Sequence, residues 1–199
     1  MGFGDFDFLV GAWRITNERL RERLKGSTDW EIFAATSRVE KVMPLPGTPL
    51  PPATPQRSPT FDRATGTIDS LREPVAHPDG TYGGNLDQMF IPDKGFTAMT
   101  LRLYDPATEL WSIYWSDTKS HRLFPPTIGR FDNGRGVFFG DDVEGGVPVK
   151  VRFDWTAGDS PVWEQSMSAD GGATWEKNWV MRFERLISPL EGEKAISRP

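Results

Sequence analysis

With 199 residues, 37% of them hydrophobic, the chain is most simply one domain, long enough to bury a sizeable core. A net charge of −5 argues against a nucleic-acid surface, which needs a basic face, and the absence of cysteine excludes disulfides, thiolate nucleophiles and thiolate metal sites. No run approaches the roughly 20 apolar residues of a membrane span, and Met1-Gly2-Phe3-Gly4-Asp5 carries no basic region followed by an apolar one, so a cytoplasmic protein with no membrane partner is expected.

Phe3, Phe6, Phe8, Leu9 and Val10 lead into Gly11-Ala12-Trp13. From there Trp13, Ile15 and Asn17 alternate with Arg14, Thr16 and Glu18, the period of two that marks a strand. The phenylalanines ahead of it read as a short aromatic plug. A basic cluster, Arg19, Arg21, Arg23 and Lys25, is interrupted by Glu18 and Glu22 and reads as a solvated strand or turn. A second strand is expected over residues 30–42, with two competing rows: Phe33, Ala35, Ser37 and Val39, or Trp30, Ile32, Ala34 and Thr36. Residues 44–59 hold seven of the seventeen prolines, so they should form a loop or extended flap, since proline cannot donate to a sheet ladder. Short extended segments are expected at 67–72 and 85–92, on either side of His77-Pro78-Asp79-Gly80.

Beyond Gly95 the pattern becomes regular. Residues 96–104 and 110–116 flank Asp105-Pro106-Ala107-Thr108-Glu109, and 128–131 and 137–140 flank Asn133-Gly134, a strong hairpin signal. A strand over 147–155 follows Gly145-Gly146. A last hairpin then runs from Trp163 to Ser168, turns through Asp170-Gly171-Gly172 and returns over 175–185; residues 187–199 read as a frayed tail. The pattern predicts an all-β chain of about nine or ten strands without an amphipathic helix. An antiparallel sheet that long loses its exposed edges by closing, so a single up-and-down barrel over 1–187 is expected in preference to a sandwich, with 188–199 as a flexible tail.

Gly11-Ala12-Trp13 after an aromatic plug resembles the Gly-x-Trp start of lipocalin-like (calycin) barrels, and the likeness to a bacterial calycin-like family spans most of residues 3–186. The resemblance implies that Trp13 closes the barrel's base under an arginine from the last strand. Arg185 shares the parity of Trp179, Met181 and Phe183, and so could meet that ring. It also implies a chamber for a small, largely apolar molecule, with catalysis in a minority of relatives. Ser168 to Trp175 resembles the Asp-box hairpin of sialidase-type propellers; a motif that repeats there occurs once here, which makes it a turn device.

The sequence offers little local chemistry. His77 and His121 form no close-spaced pair, so no metal is expected, and no histidine follows His121 to hold a haem from a late strand. Ser116, Asp117, Ser120 and His121 bunch at a strand end but suit a polar loop, as do Asp141 and Asp142. Taking the apolar row of each strand as inward gives Met99, Leu101 and Leu103, then Trp111, Ile113 and Trp115, then Val151, Phe153, Trp163, Met167, Trp179 and Met181. Few polar residues share those rows, Asn17 and Gln165 being the clearest. The expected ligand-binding set is therefore Asn17, Met99, Trp111, Trp115, Phe153, Gln165, Met167 and Trp179, with Trp13 and Arg185 as the closing pair. No cofactor is expected. The favoured reading is non-catalytic binding of a small apolar or aromatic molecule. The alternatives are an isomerase, cyclase or lyase using the same chamber, or an interaction module with a filled barrel. In the last case the outward Tyr114, Phe139 and Val180 could serve a partner or a homodimer.

Overall fold

The structure, a computed structural model, describes residues 2–49, 61–62, 67–68 and 79–186. Ten long strands close into one antiparallel barrel: β1 (Gly11–Leu20), β2 (Trp30–Pro44), β5 (Tyr82–Ile91), β6 (Phe96–Asp105), β7 (Leu110–Asp117), β8 (Thr127–Asp132), β9 (Arg135–Glu144), β10 (Val147–Thr156), β11 (Val162–Ser168) and β12 (Glu176–Arg185). Two further strands, β3 (Phe61–Asp62) and β4 (Thr67–Ile68), pair only with each other. Neighbours in sequence are neighbours in the wall except where β2 meets β5 and where β1 closes on β12. Most of the proline-rich 44–59 stretch lies outside the described residues, as do 69–72 and the 187–199 tail.

Turn chemistry explains much of this order. Asn133 and Gly134 both take positive φ (48° and 78°), as do Gly145 and Gly146 (57° and 85°), the mirror-image turns whose twist matches that of paired strands. At Pro92–Lys94 a short 3-10 turn ends on a left-handed Gly95 and sets Ile91 opposite Phe96, which fixes every later pair between β5 and β6. β7 and β8 share only three pairs, Trp111–Gly129, Ser112–Ile128 and Ile113–Thr127.

One end of the barrel is solid. Phe6, just before a 3-10 turn at Asp7–Leu9, is buried and meets Trp111, Phe131 and Trp155 edge to face, with centroids 5.0, 4.8 and 5.9 Å away. Trp13 is fully buried beside it and donates its indole N–H to Leu9 O at 2.7 Å. Arg185 lies over the Trp13 ring, its guanidinium carbon 4.2 Å from the centroid, and donates to Val10 O and Phe8 O. The glycine of the Gly-x-Trp start follows directly. Gly11 has φ 127°, and a Cβ there would sit 2.6 Å from Arg185 Nη1. The closing pair expected from the sequence is therefore in place.

The two-row ambiguity of β2 resolves in favour of Phe33, Ala35, Ser37 and Val39, all buried. β6 reverses its expectation: Phe96, Ala98, Thr100 and Arg102 face inward, while Met99, Leu101 and Leu103 are on the outer face, half-buried. Leu101 is flanked there by Leu86 of β5 and Tyr114 of β7, so both rows of β6 have an apolar environment. What decides the parity is a charge. Arg102 is buried because β5 supplies its partners, a non-local fact invisible in β6 alone. Outside, the β1, β11 and β12 ladders carry ion pairs such as Arg182–Glu18 (3.0 Å) and Lys177–Glu164 (2.6 Å), the opposite of a lipid-facing apolar band.

Candidate functional site

The other half of the barrel is hollow. A cavity of about 300 Å³ opens at the end where β1, β5, β7 and β9 finish, away from the aromatic plug. Its walls are aromatic. Trp163 stands edge-on to Phe153 (4.9 Å) and Trp179 (5.6 Å), and Trp115 faces Trp179 at 6.4 Å. These rings come from β7, β10, β11 and β12, each at an inward position two or four residues from its neighbour on the same row. A second hollow between Leu24 and the Ser168–Thr174 turn is an open surface depression against a hairpin whose polar groups are already bonded.

The floor is polar. Arg102 and Asp87, with side chains 4% and 2% exposed, form an ion pair at 3.0 Å, and Arg102 donates a second bond to Asn85 Oδ1 at 2.9 Å. The guanidinium also lies 5.3 Å from the Phe6 ring centroid and 5.7 Å from that of Trp155. It thus seals the boundary between plug and cavity with its charge matched and its faces covered by rings. Burial pushes the Asp87 carboxyl up from the usual aspartate range, while Arg102 and, more weakly, Ser37 pull it back down. Ser37 is close enough to be felt, yet neither its hydroxyl nor Asp87 Oδ1 makes a hydrogen bond of proper geometry among the described residues.

The rim is charged on both signs. Arg23 pairs with Glu144 at 2.8 Å and Lys150 with Asp141 at 2.6 Å. Arg19 stacks on Trp179 (5.1 Å) and Phe33 (5.4 Å) while bonding Glu31, whose carboxyl is held low by Lys94 and by Arg19 against the upward pull of burial. Asp117 caps the loop after β7: it accepts the Lys119 and Ser120 amides and the Trp115 indole N–H. Although burial raises its pKa, those donors outweigh burial and hold the carboxyl low. The Ser116–His121 cluster is thus a turn built around Asp117 and not a nucleophile with its base. His77 lies outside the described residues, and among those described no group of three or more histidines and carboxylates could hold a metal.

Of the residues expected to line a site, Trp115, Phe153, Gln165, Met167 and Trp179 border the cavity. Three do not. Met99 points outward, as described for β6. Trp111 is inward but belongs to the plug, 1% exposed against Phe6 and Tyr104. Asn17, fully buried on the inward row of β1 with Trp13 and Ile15, does not border the cavity but accepts the Trp179 indole N–H at 2.9 Å, which fixes that ring's orientation. Thr100 and Arg102 escape a reading of the sequence because Met99, Leu101 and Leu103 form the apolar row of β6, and Asp87 escapes it because the 85–92 segment has no facing of its own. The signal was present: the turn at 92–95 sets Asn85 opposite Arg102 and Asp87 opposite Thr100. Two adjacent strands that both place charged or amide groups on one matched row are offering partners to each other. Compared with known proteins, the chain matches no family model and no curated protein.

Proposed function

We propose that the protein binds a small, largely apolar or aromatic molecule in the open half of the barrel. The observation that carries this reading is the division of one interior into a solid aromatic plug and a cavity of about 300 Å³ walled by Trp115, Phe153, Trp163 and Trp179. Such a chamber, apolar with a few fixed polar groups, is the usual form of a small-molecule site. Its closed calycin-type barrel and Gly11–Trp13–Arg185 closure support a lipocalin-like mode of use. Titration with hydrophobic and aromatic probes should quench or shift tryptophan emission with 1:1 stoichiometry, and Trp179→Leu should weaken the response. Unchanged emission across a broad panel of such probes refutes the reading.

One observation favours catalysis in the same chamber. Asp87 is a buried carboxyl raised by its surroundings, the kind of group that could exchange a proton with a bound substrate. Its bond to Arg102 makes anchoring the simpler role. Ligands recovered chemically unchanged after prolonged incubation support binding alone; conversion that Asp87→Asn abolishes supports the enzyme.

A further inference from the structure

The floor of the cavity says what kind of head group its occupant carries. Arg102 Nε, Trp155 Nε1 and Thr127 Oγ1 have no hydrogen-bond partner among the described residues, whereas Asp87 has the Ser37 hydroxyl within reach. All three side chains border the cavity, with the orphaned atoms themselves covered and each residue at least nine-tenths buried. Interiors rarely leave so many polar atoms of one region unpaired, because each unmet group costs about 1–3 kcal/mol. The shortfall includes donors that cannot serve as acceptors, the guanidinium and indole N–H groups.

Charge narrows the choice. An anionic head reaching Arg102 would also meet Asp87, whose carboxylate is 3.0 Å from the guanidinium, and a cationic head reaching Asp87 would meet Arg102. Neither sign gains net attraction from a pair already neutralised. The surroundings do not rescue an anion either: four cationic and five anionic side chains border the cavity. An uncharged group with a hydrogen-bonding oxygen avoids both repulsions and satisfies an orphaned N–H.

On the reading that this cavity is a ligand site, we propose that its ligand is an apolar, ring-sized molecule with an uncharged hydrogen-bonding head, such as an amide or hydroxyl, seated against Arg102, Asp87, Trp155 and Thr127. A carboxylate or an ammonium is selected against.

Equilibrium dialysis of the full chain at neutral pH against four probes sharing one body tests this: 1-ethylnaphthalene, 1-naphthaleneacetamide, 1-naphthaleneacetate and 2-(1-naphthyl)ethylammonium. The amide should bind about tenfold more tightly than the ethyl compound, and each ion more weakly than the amide. In Asp87→Asn, which leaves Arg102 uncompensated, the acetate should gain on the amide by about tenfold or more; if that variant fails to fold, the comparison on the native chain stands alone. Equal binding of ethyl compound and amide, or tightest binding by either ion, overturns the inference and leaves the cavity reading intact. No binding by any of the four removes both.

Discussion

Replacing Arg102 with methionine keeps most of the side chain's volume and removes the only charge bonded to Asp87 among the described residues. The carboxyl, 2% exposed, would then have to stay ionised without a partner or take up a proton. Protonation is the easier course, and its cost has a simple bound. Neutralising an aspartate of ordinary pKa at pH 7 takes about 4 kcal/mol, and at pH 5 about 1.5 kcal/mol. The first figure lies within the roughly 3–5 kcal/mol measured when one partner of a buried ion pair is deleted. The sign is fixed: in the variant the folded-state pKa is raised, so the protonated carboxyl supports the fold at low pH and that support is lost as pH rises. Arg102→Met should therefore fall about 4 kcal/mol below the native chain in urea denaturation at neutral pH, and recover more than half of that deficit at pH 5. Arg102→Met combined with Asp87→Leu should regain most of the loss at neutral pH, because no orphaned charge remains. A single variant within 1 kcal/mol of native, roughly the uncertainty of such extrapolations, or a deficit that ignores pH, refutes the assignment of this pair as a buried, mutually dependent unit.

Three other perturbations probe different parts of the barrel. Gly11→Ala must force a Cβ toward Arg185 Nη1 at φ 127°, so it should cost about 2–4 kcal/mol, and less in an Arg185→Met background where the obstacle is gone; strict additivity in a double-mutant cycle contradicts the contact. Asn17→Leu leaves the Trp179 indole N–H without its acceptor, and should lower stability by about 1–3 kcal/mol while shifting tryptophan emission; an unchanged spectrum argues that the bond does not orient the ring. Asp170 is held well below the usual aspartate range by the Ser168 and Thr174 hydroxyls and the Thr174 amide, so its support for the last hairpin is present above the ordinary aspartate pKa and fades as pH falls. Asp170→Ala should thus lie below the native chain at neutral pH and converge on it in acid, as read by thermal unfolding across that range.

Local signals in the chain carried the hairpins, the plug and the closure. Asn133-Gly134 and Gly145-Gly146 specify turns whose φ values only such residues adopt readily, and the parity of β12 carried Arg185 onto Trp13 across more than 170 positions. Two things resisted. Alternation along β6 reveals two rows but not which is inside, because Leu101 finds apolar neighbours on the outer face and Arg102 finds its counter-charge on the inner one. The same alternation also says nothing about depth. Trp111 and Trp115 share one row of β7, yet the first is packed into the plug and the second borders the cavity, a difference set by how far Phe6 reaches into the barrel.

The seam between β1 and β12 has a consequence for how the chain reaches this state. β1 is made before the other nine wall strands, and the partner that covers its second edge is the last of the ten. While a ribosome is still extending the chain, β1 can pair with β2, but its other edge stays bare and Trp13 lacks the arginine that caps it. The nascent barrel is an open, curling sheet with an adhesive margin until residue 185 emerges. Contacts this distant in sequence are slow to form, and unpaired margins recruit other chains. Truncation before Glu176 should leave a species that aggregates during synthesis even though nine of the ten wall strands are intact, and supplying the missing strand as a peptide offers a direct way to rescue it.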